Sequence, residues 1–70
     1  MTPEQFKDWR VRYYKTQSAA ADALGVTRGT VANYEAGIRR DGKPAPIPHT
    51  VALAMTALAN GLKAWDEYGR

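Results

Sequence analysis

The order of apolar and polar positions divides the chain into four helical segments and a short tail. Phe6, Trp9 and Tyr13 recur at i, i+3 and i+7, one stripe of a helix running from Pro3 to about Tyr14. Thr2 can cap it, Pro3 fits its first position, and Gln5 completes a Thr-x-x-Gln capping box. Lys15-Thr16 breaks the stripe, and Thr16 can cap a second helix, Gln17 to Leu24, whose inner side is Ala20, Ala21 and Leu24. Gly25 ends that helix, Val26 supplies one apolar anchor, and Thr27 caps a third helix from Arg28 to Ala36, closed by Gly37. Only Gly25, Val26 and Thr27 join the second helix to the third, which predicts a steep crossing and not an antiparallel pair. Residues 37–48 read as a Gly/Pro-rich loop, with prolines at 44, 46 and 48 leaving no regular element. A fourth helix follows from about Pro48 to Asn60. It has one apolar face of Val51, Ala54, Met55, Leu58 and Leu62, and a second of Leu53, Ala57 and Ala64 on nearly the opposite side. The expected fold is all-α, a bundle of four to five helices. Residues 1–62 form one domain, and a tail over 63–70 brings Trp65 and Tyr68 to plug the core or a dimer interface.

Composition sharpens this picture. Of 70 residues, 31 are apolar or aromatic, but 12 of these are Ala, so 19 larger side chains must supply the core. A chain of this size buries only about 60% of its unfolded surface, and the core is therefore thin. The sequence has no Cys, which excludes disulfides, thiolate catalysis and Cys-based zinc sites, and its single His49 has no second imidazole with which to share a metal. His49 itself reads as an exposed first-turn residue. No carboxylate pair or nucleophile–base arrangement stands out, so neither an enzyme nor a cofactor, metal or small-molecule ligand is expected. No apolar run approaches the roughly 18 residues of a membrane span. Met1-Thr2-Pro3-Glu4-Gln5 lacks the basic-then-apolar build of a signal peptide. A cytoplasmic, nucleoid-associated location, with no membrane partner, is the expectation.

Net charge is +3, and its placement matters more than its size. Residues 1–43 hold eight Lys/Arg against five Asp/Glu, whereas residues 44–70 hold two of each. The surplus in one half points weakly to a polyanionic partner.

Within 17–37 the spacing becomes specific. Ala21 stands where two helices would cross, Gly25 four residues later makes the turn, Val26 follows, Thr27 caps, and Val31 is the inward residue of the next helix. This is the spacing that a helix-turn-helix requires. It resembles the Cro/lambda-repressor-type, or xenobiotic-response-element, family of bacterial and phage regulators. Thr16-Gln17 is similar to that family's Ser/Thr-Gln opening, and Gly25-Val-Thr-Arg-Gly-Thr-Val31 to its Gly-Val-Ser-Arg-x-Thr-Val signature. Asn33-Tyr-Glu-Ala-Gly37 resembles its closing segment, Phe6-x-x-Trp9-Arg10-x-x-Tyr13 its first helix, and Pro46 to Met55 the fourth helix of many short members. The chain departs from the pattern at Tyr14 and Lys15, where the family has Gly and Leu, at Ala20, where it has Leu, and in a longer 37–48 loop. Its size and its Pro-Ala-Pro…Thr-Val segment are also similar to anti-CRISPR-associated repressors.

The resemblance assigns roles residue by residue. Arg28, Gly29 and Asn33 fall where the family faces base edges. An Arg there can donate bidentately to guanine and an Asn can pair with adenine, while Gly29 either admits close backbone approach or only weakens the helix. Gln17, Thr27 and Thr30 are expected at phosphates; Gln17 opens a helix whose free N–H groups favour an anion, and for Thr27 capping alone is a sufficient reason. Arg39, Arg40 and Lys43 resemble the family's backbone-contacting loop. Tyr34 is either an apolar packing residue or a phenol reaching a phosphate. Arg10 and Glu35 are expected to form a partly buried structural ion pair between the first and third helices. The bland alternative for each polar residue is a solvated helix face or loop.

The resemblance implies a sequence-specific regulator of double-stranded DNA, a homodimeric repressor or autorepressor whose third helix enters the major groove of an inverted-repeat operator. With no further domain expected in 70 residues, control would come from its own concentration. The alternative, from another class, is a small helical protein-binding module, an antitoxin or adaptor, with an incidental basic patch.

Overall fold

The computed structural model describes residues 1–68, and over these the chain is all-helical. Helix α1 spans Pro3–Tyr13, α2 Gln17–Leu24, α3 Arg28–Ala36 and α4 His49–Ala59; a 3-10 turn follows at Trp65–Tyr68. The last two residues of the expected 63–70 tail lie outside the described residues.

Helix starts follow the local chemistry closely. The Gln5 amide donates to Thr2 Oγ1 at 3.1 Å and the Thr2 amide to Gln5 Oε1 at 2.8 Å, so the capping box is complete. Thr16 and Thr27 cap α2 and α3 by accepting the amides of Ala19 and Thr30. Helix α4 starts after Pro48 with no side-chain cap, because proline fixes an extended approach but offers no acceptor. Gly25 ends α2 in the left-handed region at φ +73°, and the Val26 amide then donates back to Ala21 O at 3.0 Å. This closure folds Val26 under the turn and sets the α2–α3 corner.

Helix α3 packs against both α1 and α2, and α4 lies on α2. The core they share consists of Phe6, Ala20, Ala21, Val31, Tyr34 and Met55, ringed by Trp9, Tyr14, Leu24, Val26, Ile47 and Val51. Ala20 and Ala21 are buried because only small side chains let α2 approach its neighbours this closely. The bulk missing there is supplied by aromatic rings. Phe6 meets Tyr34 edge-on at 5.3 Å, and Trp9 tilts against Tyr14 at 5.4 Å. Such pairs contribute about 0.5–1.5 kcal/mol each beyond their burial. Trp9 also donates its indole N–H to Met55 O at 3.1 Å, tying α1 to α4.

The 37–48 loop holds no helix or strand, as expected, and of the two roles expected for Trp65 and Tyr68 the core is not the one observed. The 37–48 loop is organised: the Arg39 amide donates to Lys43 O at 2.7 Å, the Gly42 amide to Arg39 O at 2.9 Å, and Ile38 pairs with Pro44 in an isolated antiparallel bridge. Proline at 44 tolerates this, because the bonds flanking the bridge are donated by the Arg39 amide and by the Ala45 amide, which donates to Gly37 O at 3.2 Å, and none is needed from residue 44. Trp65 and Tyr68 are not core residues, since Trp65 is 76% exposed and Tyr68 47%. The 3-10 turn holds them against each other at 6.2 Å and away from the bundle's centre.

Candidate nucleic-acid interface

One open trough of about 620 Å³ gathers much of the expected site. It is bounded by Thr27, Gly29, Thr30 and Asn33 of the α3 surface on one side and by Ile38, Arg39 and Arg40 of the loop on the other. The organisation of the 37–48 turn brings the loop cations alongside α3.

The α3 end of the trough is built by capping. Thr27 Oγ1 accepts the Thr30 amide at 3.1 Å and lies 2.8 Å from Thr30 Oγ1, so one of the two hydroxyls donates to the other. Both groups are thereby fixed at the helix start, where uncompensated N–H groups and the dipole favour an anion. Arg28 occupies the first helical position and is exposed, with no ion pair among the described residues. Asn33 is half-buried, one and a half turns further along. Gly29 is exposed, and a Cβ there would meet nothing nearer than Thr27 Oγ1 at 3.9 Å, so packing does not demand a glycine. Gln17 is the first residue of α2 and half-buried; it does not line this trough.

The loop end differs from expectation in one respect. Arg39 is held by its own loop: its Nη2 donates to Asp41 Oδ2 at 2.6 Å. Asp41 Oδ1 meanwhile accepts the Lys43 amide at 3.1 Å. A carboxylate two residues from Arg39 reaches it because the chain reverses there. Arg40 and Lys43 are exposed and form no ion pair among the described residues.

Tyr34 resolves toward packing. Its ring is a core residue with 9% of its surface exposed, edge-on to Phe6. The inward face of α3 carries it beside Val31, which leaves only the ring's outer edge for any phosphate. Arg10 and Glu35 pair as expected: Arg10 Nε donates to Glu35 Oε2 at 2.8 Å and Nη2 to Oε1 at 3.3 Å, with the side chains 14% and 8% exposed. The pair lies behind the trough and fixes α3 against α1.

Two further residues join the site only in the folded chain. Ile38 is apolar yet 54% exposed and lines the trough directly after the glycine that ends α3. Its position outside any helical stripe was the available sign. Asp41, the lone acid among Arg39, Arg40 and Lys43, was the other.

Among the described residues no helix is long and apolar enough to cross a membrane. A family model described as helix-turn-helix matches residues 6–41, just over half of the chain and the whole span from Phe6 through α3 to Asp41. No curated protein and no solved structure matches the chain. A capped pair of helices joined by a three-residue corner, an exposed arginine opening the second, and a family match over the same residues lead to one assignment: the chain belongs to the Cro/C1-type helix-turn-helix family of DNA-binding transcriptional regulators.

Proposed function

We propose that the protein is a homodimeric repressor that occupies an inverted-repeat operator with α3 of each subunit in the major groove. The observation that carries this reading is the exposed Arg28 at the start of α3 together with Asn33, which lines one trough with Arg39 and Arg40. Arg28 donates to guanine O6 and N7, Asn33 pairs with adenine, and Gly29 allows the backbone to approach. Ile38 offers an apolar surface for a thymine methyl group.

The remaining groups position the domain. Thr27, Thr30 and the α2 start at Gln17 meet phosphates beside the groove, and Arg40 and Lys43 meet them beyond it. These contacts fix register without reading sequence. Arg39 joins them only by leaving Asp41, and Tyr34 contributes through its packing. A two-fold dimer sets its recognition helices about 34 Å apart, matching half-sites one DNA turn from each other.

Footprinting on DNA flanking the protein's own coding sequence tests the proposal. A protected inverted repeat, lost when both half-sites are scrambled, is the expected result. Equal affinity for operator and scrambled DNA at every salt concentration overturns it, and leaves the protein-binding module as the reading.

A further inference from the structure

Ile38 is the one large apolar side chain among the residues that line the α3 trough. It is 54% exposed and does not join the apolar ring around the core. Its place is nevertheless fixed. The Gly37 amide donates to Asn33 O at 2.8 Å, Gly37 takes φ +78°, the Ala45 amide returns to Gly37 O at 3.2 Å, and Ile38 bridges Pro44. Ala45 is buried at the foot of this turn. Ala32 and Ala36 line the same trough and are too small to cover Ile38. The next residue along the chain, Arg39, is held by Asp41 at 2.6 Å.

In the major groove a base-pair edge offers donors, acceptors and a single kind of apolar group, the methyl group on C5 of a pyrimidine. An isoleucine mounted rigidly beside α3 has that group as its complement. We infer that Ile38 reads the C5 methyl group itself and not the base that carries it. 5-Methylcytosine then serves as well as thymine, and cytosine methylation within the operator regulates binding. The inference rests on the entry of α3 into the major groove proposed above and names the regulation of that site. Both methyl groups project from the same ring carbon into the same groove. The two bases differ in the polar group next to it, a carbonyl acceptor on thymine and an amino donor on cytosine. The Ile38 side chain has neither donor nor acceptor with which to tell them apart. Arg39, the neighbour that could favour the carbonyl, is engaged by Asp41. Unmethylated cytosine leaves Ile38 facing a bare C–H edge, with its apolar surface toward water. Methylation at that pair takes the methyl group and the isoleucine out of water together. The turn has already ordered the backbone at Ile38, so the contact costs little conformational entropy.

Titration of the footprinted operator, altered at one pair at a time in both half-sites, tests this. Each pyrimidine position is offered in turn as deoxyuridine, thymine, cytosine and 5-methylcytosine. At one pair the C5 methyl group, on either base, should strengthen wild-type binding about fourfold per half-site over the same base without it, the worth of one buried methyl group. Ile38→Ala should abolish both responses at that pair, and Ile38→Val, which keeps a branched apolar side chain, should retain them. Neither substitution should move the melting temperature, because Ile38 lies outside the core. Indifference to the methyl group at every pair, a response that persists in Ile38→Ala, or 5-methylcytosine bound no better than cytosine overturns this inference while operator recognition stands. A chain that protects no operator overturns the repressor reading and this inference together.

Discussion

Arg10 and Glu35 join α1 to α3 through two parallel hydrogen bonds, and the third nitrogen of the same guanidinium donates to Lys15 O at 3.1 Å. One side chain thus fixes α3, α1 and the chain leaving α1. Glu35→Ala leaves a guanidinium only 14% exposed with no carboxylate opposite. Loss of one partner of such a pair costs about 3 kcal/mol. A chain of this length has only about 4–10 kcal/mol in total. Thermal denaturation followed by circular dichroism should therefore show Glu35→Ala melting about 12–24 °C below wild type. An unchanged melting curve would mean that the pair contributes nothing to stability.

Base reading and phosphate contact separate by substitution. Arg28→Ala and Asn33→Ala should each cost about 1–3 kcal/mol per half-site on operator DNA and relax discrimination at one base pair. Lys43→Ala should instead weaken operator and scrambled DNA equally. Titration of both DNAs with each variant checks this, and equal losses on both DNAs for Arg28→Ala would remove it from the base-reading set.

The Arg39–Asp41 pair sets the salt dependence. With Arg39 held by Asp41, the proposed dimer would meet phosphates through Arg40 and Lys43 of each subunit. The log–log slope of affinity on salt should then be about −3.6. Asp41→Asn keeps an acceptor for the Lys43 amide but removes the charge that holds Arg39. Affinity for all DNA should rise and the slope steepen to about −5. Titrations at four salt concentrations read both quantities, and a slope unchanged in Asp41→Asn would show Arg39 already at phosphate in wild type.

Gly25 and Gly37 both lie at positive φ, +73° and +78°, but only Gly37 has a close neighbour. A Cβ at 37 would stand 2.9 Å from Pro3 Cγ, whereas one at 25 would meet nothing within 4 Å. Gly25→Ala should cost about 1–2 kcal/mol, the strain of an L-residue in that region. Gly37→Ala should cost at least about 1 kcal/mol more, because the Pro3 ring must move. Urea denaturation of the two variants gives the difference directly. Equal losses would show that the start of α1 yields without cost.

The helices are legible in the sequence, because their boundaries are local chemistry. Thr2, Thr16 and Thr27 cap, Gly25 and Gly37 terminate, and the stripe Phe6–Trp9 together with Val31 marks the inward faces. The Ala21-Gly25-Val26-Val31 spacing likewise gave the α2–α3 corner, and the Arg10–Glu35 pair was expected from the resemblance. What depends on residues brought together from distant positions is set by the fold. Tyr34 is a core ring because Phe6, 28 positions earlier in the chain, lies beneath it at 5.3 Å. Arg39 is held because the turn reverses the chain and returns Asp41 to it, which composition could not distinguish from a free basic loop. Trp65 and Leu62 are as apolar as any core residue, and their exposure follows only from where the chain goes after α4. Capping and periodicity act over three or four residues and are written in the sequence. Burial and the pairing of charges depend on which surfaces meet, and the fold alone settles that.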